Sequence, residues 1–190
     1  MKKLFVIALA AFASLTLSAQ TVGKVNFNEL VMLMPEMDAA RETLAASQKE
    51  AEETYAAMME EAQAKFSQYE QKKATWTAAI RESKERELTD IQQRIQEFQQ
   101  NISQELQQQQ TQLTAPIQEK ANKAITDIAK AKGITVLFDV SQAIYFDESK
   151  VIDITADARK ALNIPAGRTL ESLQAELQAK TEAAAAAAAK

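Results

Sequence analysis

The chain has 190 residues, carries 22 Lys and Arg against 26 Asp and Glu for a formal charge of −4, and contains neither histidine nor cysteine. The missing histidine removes the commonest general base, the commonest metal ligand and the Ser-His pair, and the missing cysteine removes disulfides and thiolate chemistry. The acid excess argues against a partner bound through neutralised phosphates, so no nucleic-acid binding, no cofactor and no enzymatic activity are expected.

Lys2 and Lys3 precede an uncharged, mostly apolar run over residues 4–17, followed by Ser18-Ala19-Gln20. This pattern predicts a cleavable secretory signal over residues 1–19, too short and wrongly flanked for a membrane span. Export to the periplasm follows from it.

The three glycines and three prolines punctuate what remains. Gly23 opens Lys24-Val25-Asn26-Phe27, whose alternation predicts a strand. Pro35, with Glu36 and Asp38 behind it, marks a helix start. From there a stripe recurs at steps of three and four through Leu44, Ala51, Tyr55, Met58, Ala62, Phe66, Tyr69 and Trp76. A second runs through Leu88, Ile91, Ile95, Phe98, Ile102, Leu106, Leu113 and Ile117. Each is a narrow coiled-coil seam that needs a partner, and the nearest partner is the other helix folded back. The turn is expected within about residues 75–84. Lys130, Lys132 and Gly133 end the second helix.

Beyond Gly133, residues 134–138 and 143–146 read as two strands of a hairpin linked by 139–142. Thr155 is the expected N-cap of a short helix reaching about Leu162. From Thr169 the chain is Leu- and then Ala-rich, a marginal helix expected to fray.

The result is a mainly α fold with a small β body. A long antiparallel helical hairpin, a coiled-coil arm over residues 35–132, projects from a strand-built oligomerisation base of residues 20–34 and 133–165. Residues 166–190 form a low-complexity, alanine-rich tail. The base is too small to cover its own apolar side chains, Val25, Phe27, Val136, Phe138, Ile144 and Phe146. These six are the candidate oligomer interface.

Along the arm, Met59, Phe66, Tyr69 and Trp76 are candidate client-binding residues. The period favours seam packing for Phe66 and Tyr69, whereas Met59 lies off the seam. Trp76, near the tip, suits locking the turn as well as touching a client or a membrane. The sequence leaves membrane-surface contact open. Pro116 interrupts the second helix and is a candidate hinge, or equally a static kink.

Several segments resemble one family: Lys24-Val25-Asn26-Phe27 leading to Met34-Pro35-Glu36, Ala115-Pro116-Ile117, and Lys132-Gly133-Ile134-Thr135-Val136-Leu137-Phe138-Asp139. Val151-Ile152-Asp153-Ile154-Thr155 and Ala161-Leu162-Asn163 complete the series. In this order around a long hairpin, the chain resembles the OmpH/Skp family of Gram-negative periplasmic chaperones over about residues 22–163. The resemblance implies a homotrimer whose arms surround a cavity that holds unfolded outer-membrane β-barrel proteins without ATP. The competing reading is a structural or adaptor coiled-coil protein of the cell envelope.

Overall fold

The computed structural model describes residues 20–188. The signal expected over residues 1–19 lies outside the described residues.

β1 (Val22–Val25) is the centre of a three-stranded sheet in the order β2-β1-β3. It runs parallel to β2 (Val136–Asp139), with Val22 opposite Val136 and Val25 opposite Asp139. It is also parallel to β3 (Ile152–Asp153), with Lys24 opposite Asp153. Parallel neighbours need a crossover, and the one from β1 to β2 comprises the two longest helices described. Gly23 is buried in the central strand, where a β-carbon would lie 2.7 Å from Ile134 Cδ1. Its missing side chain lets Ile134 close over the strand.

The expected strand hairpin does not form. Residues 143–146 are not a strand, and the third strand is Ile152–Asp153. Asp139 accepts a hydrogen bond from the Ser141 N–H at 2.9 Å and turns the chain into a 3-10 turn, Val140–Gln142. Asp147 does the same for Ser149 at 3.1 Å, opening a second turn, Glu148–Lys150. Alternation reported the apolar spacing of 143–146, but the two aspartates set the path.

Phe27, expected at the end of the first strand, instead opens α1 (Phe27–Leu33). Asn26 is the switch: its Oδ1 accepts from the Glu29 N–H at 3.2 Å while its Nδ2 donates to Glu29 Oε2 at 2.8 Å. This cap satisfies the Glu29 N–H of the first turn, and the strand ends there. Leu30, Leu33 and Met34 are fully buried.

α2 (Pro35–Lys72) starts at the predicted proline, with Glu36 and Asp38 in its first turn. α3 (Ala78–Ala131) begins after a turn at residues 73–77, where Thr77 Oγ1 accepts from the Ile80 N–H at 3.4 Å. The two helices pair antiparallel. Moving outward from Glu36–Lys120, the cross-helix contacts are Ser47–Gln109 at 2.9 Å, Tyr55–Gln99 at 3.0 Å, Lys65–Glu87 at 3.2 Å, and Tyr69–Glu85. Ala40, Ile91 and Ile117 are buried on this seam, whereas Tyr55, Met58, Phe98 and Ile102 stay half-buried. Two helices offer one line of contact, and water reaches both sides of it.

α3 ends as predicted, at a Schellman cap. Gly133 has φ +67°, its N–H donates to the Lys130 carbonyl at 3.1 Å, and the Ile134 N–H donates to the Ala129 carbonyl at 2.9 Å. α4 (Thr155–Ala161) closes the same way on Asn163, φ 56°, with Asn163 N–H to the Lys160 carbonyl and Ile164 N–H to the Arg159 carbonyl. Thr155 is not the N-cap of α4. It is the first helical residue, and the Asp153 carboxylate accepts from its N–H at 2.8 Å.

The tail is not frayed where it is described. α5 (Leu170–Ala188) opens on a reciprocal Thr169–Ser172 cap, and Leu173 is buried. Arg168 pairs with Asp38 at 2.5 Å and Lys180 with Glu42 at 3.4 Å, tying α5 to the first turns of α2. Tertiary contact supplies the stability that an isolated alanine-rich helix lacks. Two compact units result: residues 20–30 with Ala121–Gly167, and Val31–Lys120 with residues 168–188.

Candidate functional site

Midway along the hairpin, Ala51 of α2 faces Phe98, Ile102 and Leu106 of α3, and these four line the floor of two open grooves. The larger, about 670 Å³, is walled by Gln48, Glu52, Tyr55, Gln99 and Ser103. The other, about 560 Å³, is walled by Ser47, Glu50, Thr54, Glu105 and Gln108. Alanine is too short to fill the space between the helices, so the floor stays open on both flanks. Sequence reading took these floor residues as seam filler. The signal available was the small residue set against three large ones.

Of the four candidate client-binding residues, Met59 is 45% and Phe66 52% exposed, and at seven residues apart they share one face of α2. Tyr69 and Trp76 are half-buried and packed on each other, edge to face, with ring centroids 6.0 Å apart. The Tyr69 hydroxyl donates to Glu85, and that carboxylate raises its pKa. Lys73 lies over the same ring at 5.9 Å. The structure therefore joins Met59 to Phe66 and Tyr69 to Trp76 as separate pairs. Ile80, 44% exposed just beyond the turn, joins the apolar surface there and was not among the candidates.

Charges near this end are cross-linked. Lys65 reaches Glu61 at 3.6 Å and Glu87 at 3.2 Å, and Lys84 reaches Glu87 at 2.6 Å. The Lys84 and Lys65 ammonium groups hold the Glu87 carboxyl below its usual range. Among the described residues, no group of acids is placed to hold a metal ion. α3 runs unbroken through Pro116, which offers the Gln112 carbonyl no N–H to accept from.

In the sheet unit the six interface candidates separate by exposure. Val25 is buried within the chain, and Phe27, Phe138 and Phe146 are half-buried. Phe138 and Phe146 meet edge to face at 5.2 Å, and the Lys24 ammonium sits 5.0 Å over the Phe146 ring. Lys24 also pairs with Glu148 and, at 3.4 Å, with Asp153; Glu148 is the main cause of its raised pKa. These contacts hold the 140–151 segment so that Ile144 is fully exposed, and Val136 is half so. Tyr145, 85% exposed, belongs with them although alternation had pointed only to its neighbours.

A long antiparallel helical hairpin with a small sheet is the fold class expected from the sequence, although the strands pair in parallel and not as a hairpin. A family model described as outer membrane protein (OmpH-like) matches residues 21–162. The chain belongs to the OmpH family. The match spans the sheet, the whole hairpin and α4, and α5 lies beyond it. OmpH membership supports a chaperone-like role toward outer-membrane proteins. No curated protein matches the chain. No helix among the described residues is long and apolar enough to cross a membrane.

Proposed function

We propose that this OmpH-family protein is an ATP-independent holding chaperone of the periplasm, binding unfolded outer-membrane β-barrel proteins between the hairpin arms of a homotrimer. The observation that carries the reading is the apolar surface left open on the hairpin, where Met59 and Phe66 stand exposed beside grooves floored by Phe98, Ile102 and Leu106. Methionine and aromatic side chains repack against varied partners, which suits many client sequences. Individually weak contacts gain affinity when several arms engage one chain. The apolar residues of the sheet unit, Val136, Ile144 and Tyr145 above all, supply the proposed self-association surface. Pro116 is the proposed hinge.

The test is light scattering from a denatured β-barrel protein diluted out of urea. Equimolar trimer should suppress its aggregation equally with and without ATP. Failure to suppress, or suppression only with ATP, would move the protein to the class of structural coiled-coil adaptors.

A further inference from the structure

The hairpin has two flanks, one on each side of the seam, and they differ in chemistry. On α3, Gln99 and Ser103 wall the larger groove, and steps of three and four along the same helix face add Gln92, Gln96, Gln107 and Gln110. Every one is neutral. The charged residues of the same stretch, Arg94, Glu97 and Glu105, fall on the other side of the helix, where Arg94 approaches Glu61 at 3.9 Å and Glu105 walls the smaller groove. On α2, the flank of the larger groove holds Gln48, Glu52 and Tyr55 and continues to Met59 and Phe66, the two exposed apolar candidates. From Gln48 to Phe66 this strip is about 27 Å long at 1.5 Å per residue.

We infer that this flank, glutamine-lined and neutral on its α3 side, is where the client lies, and that its occupant is an extended segment of unfolded chain with alternating apolar side chains. The inference rests on the chaperone reading above and deepens it by naming the surface. A primary amide both donates and accepts, as the backbone of an unfolded chain does, so a row of glutamines can pair with peptide groups whatever the client's side chains. The larger groove has one carboxylate in its wall, Glu52, against Glu50 and Glu105 in the smaller, so covering it desolvates less charge. The floor matches the same occupant. Phe98, Ile102 and Leu106 follow at four-residue steps of about 6 Å, while alternate side chains of an extended strand are spaced about 6.8 Å. Barrel strands alternate in this way.

The test places a photo-crosslinking residue, p-benzoylphenylalanine, in the full-length mature protein at Gln96 or Ser103, and on the charged flank at Gln108 or Gln112. With a denatured outer-membrane β-barrel protein as client, the first two sites should crosslink at least tenfold more than the second two. A companion triple variant, Gln92→Glu, Gln96→Glu, Gln110→Glu, should raise the concentration needed for half-suppression of aggregation at least fivefold. The control Asn101→Glu, Gln108→Glu, Gln112→Glu, on the side of Glu105, should leave it within twofold, both variants keeping the parent circular dichroism. Equal crosslinking on both flanks, or equal loss in both triple variants, overturns the assignment while unmodified protein still suppresses aggregation. Absence of suppression by the unmodified protein overturns the chaperone reading and this inference with it.

Discussion

Gln109 donates from its Nε2 to the Ser47 Oγ at 2.9 Å, a half-buried polar layer set into the otherwise apolar seam between α2 and α3. Such a layer fixes register at some cost in stability. Ser47→Ala should therefore lose roughly 0.5–1 kcal/mol, because the amide is left to water. Ser47→Ala combined with Gln109→Leu should be more stable than Ser47→Ala alone, since apolar surface then meets apolar surface. Urea unfolding of the parent, single and double variants decides this, and a double variant weaker than the single one would refute it.

Gly23 and Gly133 should respond to alanine for different reasons. At Gly23 the new β-carbon meets Ile134 Cδ1 at 2.7 Å and Cγ2 at 3.0 Å, so the side chain packed over the central strand has to move. A loss of about 1–3 kcal/mol is expected. Around Gly133 the space is open, but φ is +67°, so the cost is conformational and about 1 kcal/mol. Gly133→Asn should recover part of it, as Asn163 occupies the same conformation at the end of α4. Thermal melts of the three variants give the order.

The Glu36–Lys120 pair at the root of the hairpin sets a pH dependence. The hydrogen-bonded Lys120 ammonium, with Glu36's own backbone N–H, holds the Glu36 carboxyl below the usual carboxylate range. A carboxyl depressed in the folded state contributes stability that is fully present above its unfolded pKa, about 4.3. That contribution fades as pH falls through the lower folded value. Both side chains are more than a third exposed, so the effect at neutral pH is at most about 1 kcal/mol. Glu36→Gln should lower the melting temperature slightly at pH 7 and make no difference at pH 2. A variant equally destabilised at both values would exclude the linkage.

Assembly of the proposed trimer should be separable from folding of the chain at Ile144. Its side chain is fully exposed, so Ile144→Asp removes no contact within the chain. Sedimentation velocity should show a smaller species with unchanged circular dichroism. Phe138→Asp is expected to damage both, because Phe138 also packs on Phe146. An Ile144→Asp protein that sediments like the parent would place the contact elsewhere.

The sequence by itself determined the features that depend on local chemistry. Pro35 with its acids started α2, Gly133 ended α3, and the seven-residue repeat of apolar positions set two helices against each other. It did not set exposure along the arm, since Phe66, inside the repeat, is as open as Met59 outside it. Four outcomes came only with the structure, two through local turns and caps that the alternation masked and two through tertiary contact. Alternation in residues 143–146 resembles a strand because periodicity records spacing and not pairing, and the Asp139 and Asp147 turns carry that segment past the sheet to Ile152. Phe27 reads as the end of a strand, but Asn26 caps a helix that begins there. α5 is marginal as an isolated helix and is held by Asp38 and Glu42, acids far away in the chain. The grooves beside Ala51 are the volume left when one short side chain faces three long ones. That volume exists only once the register of the two helices is set, because packing depends on which residues meet across a distance that local sequence does not encode.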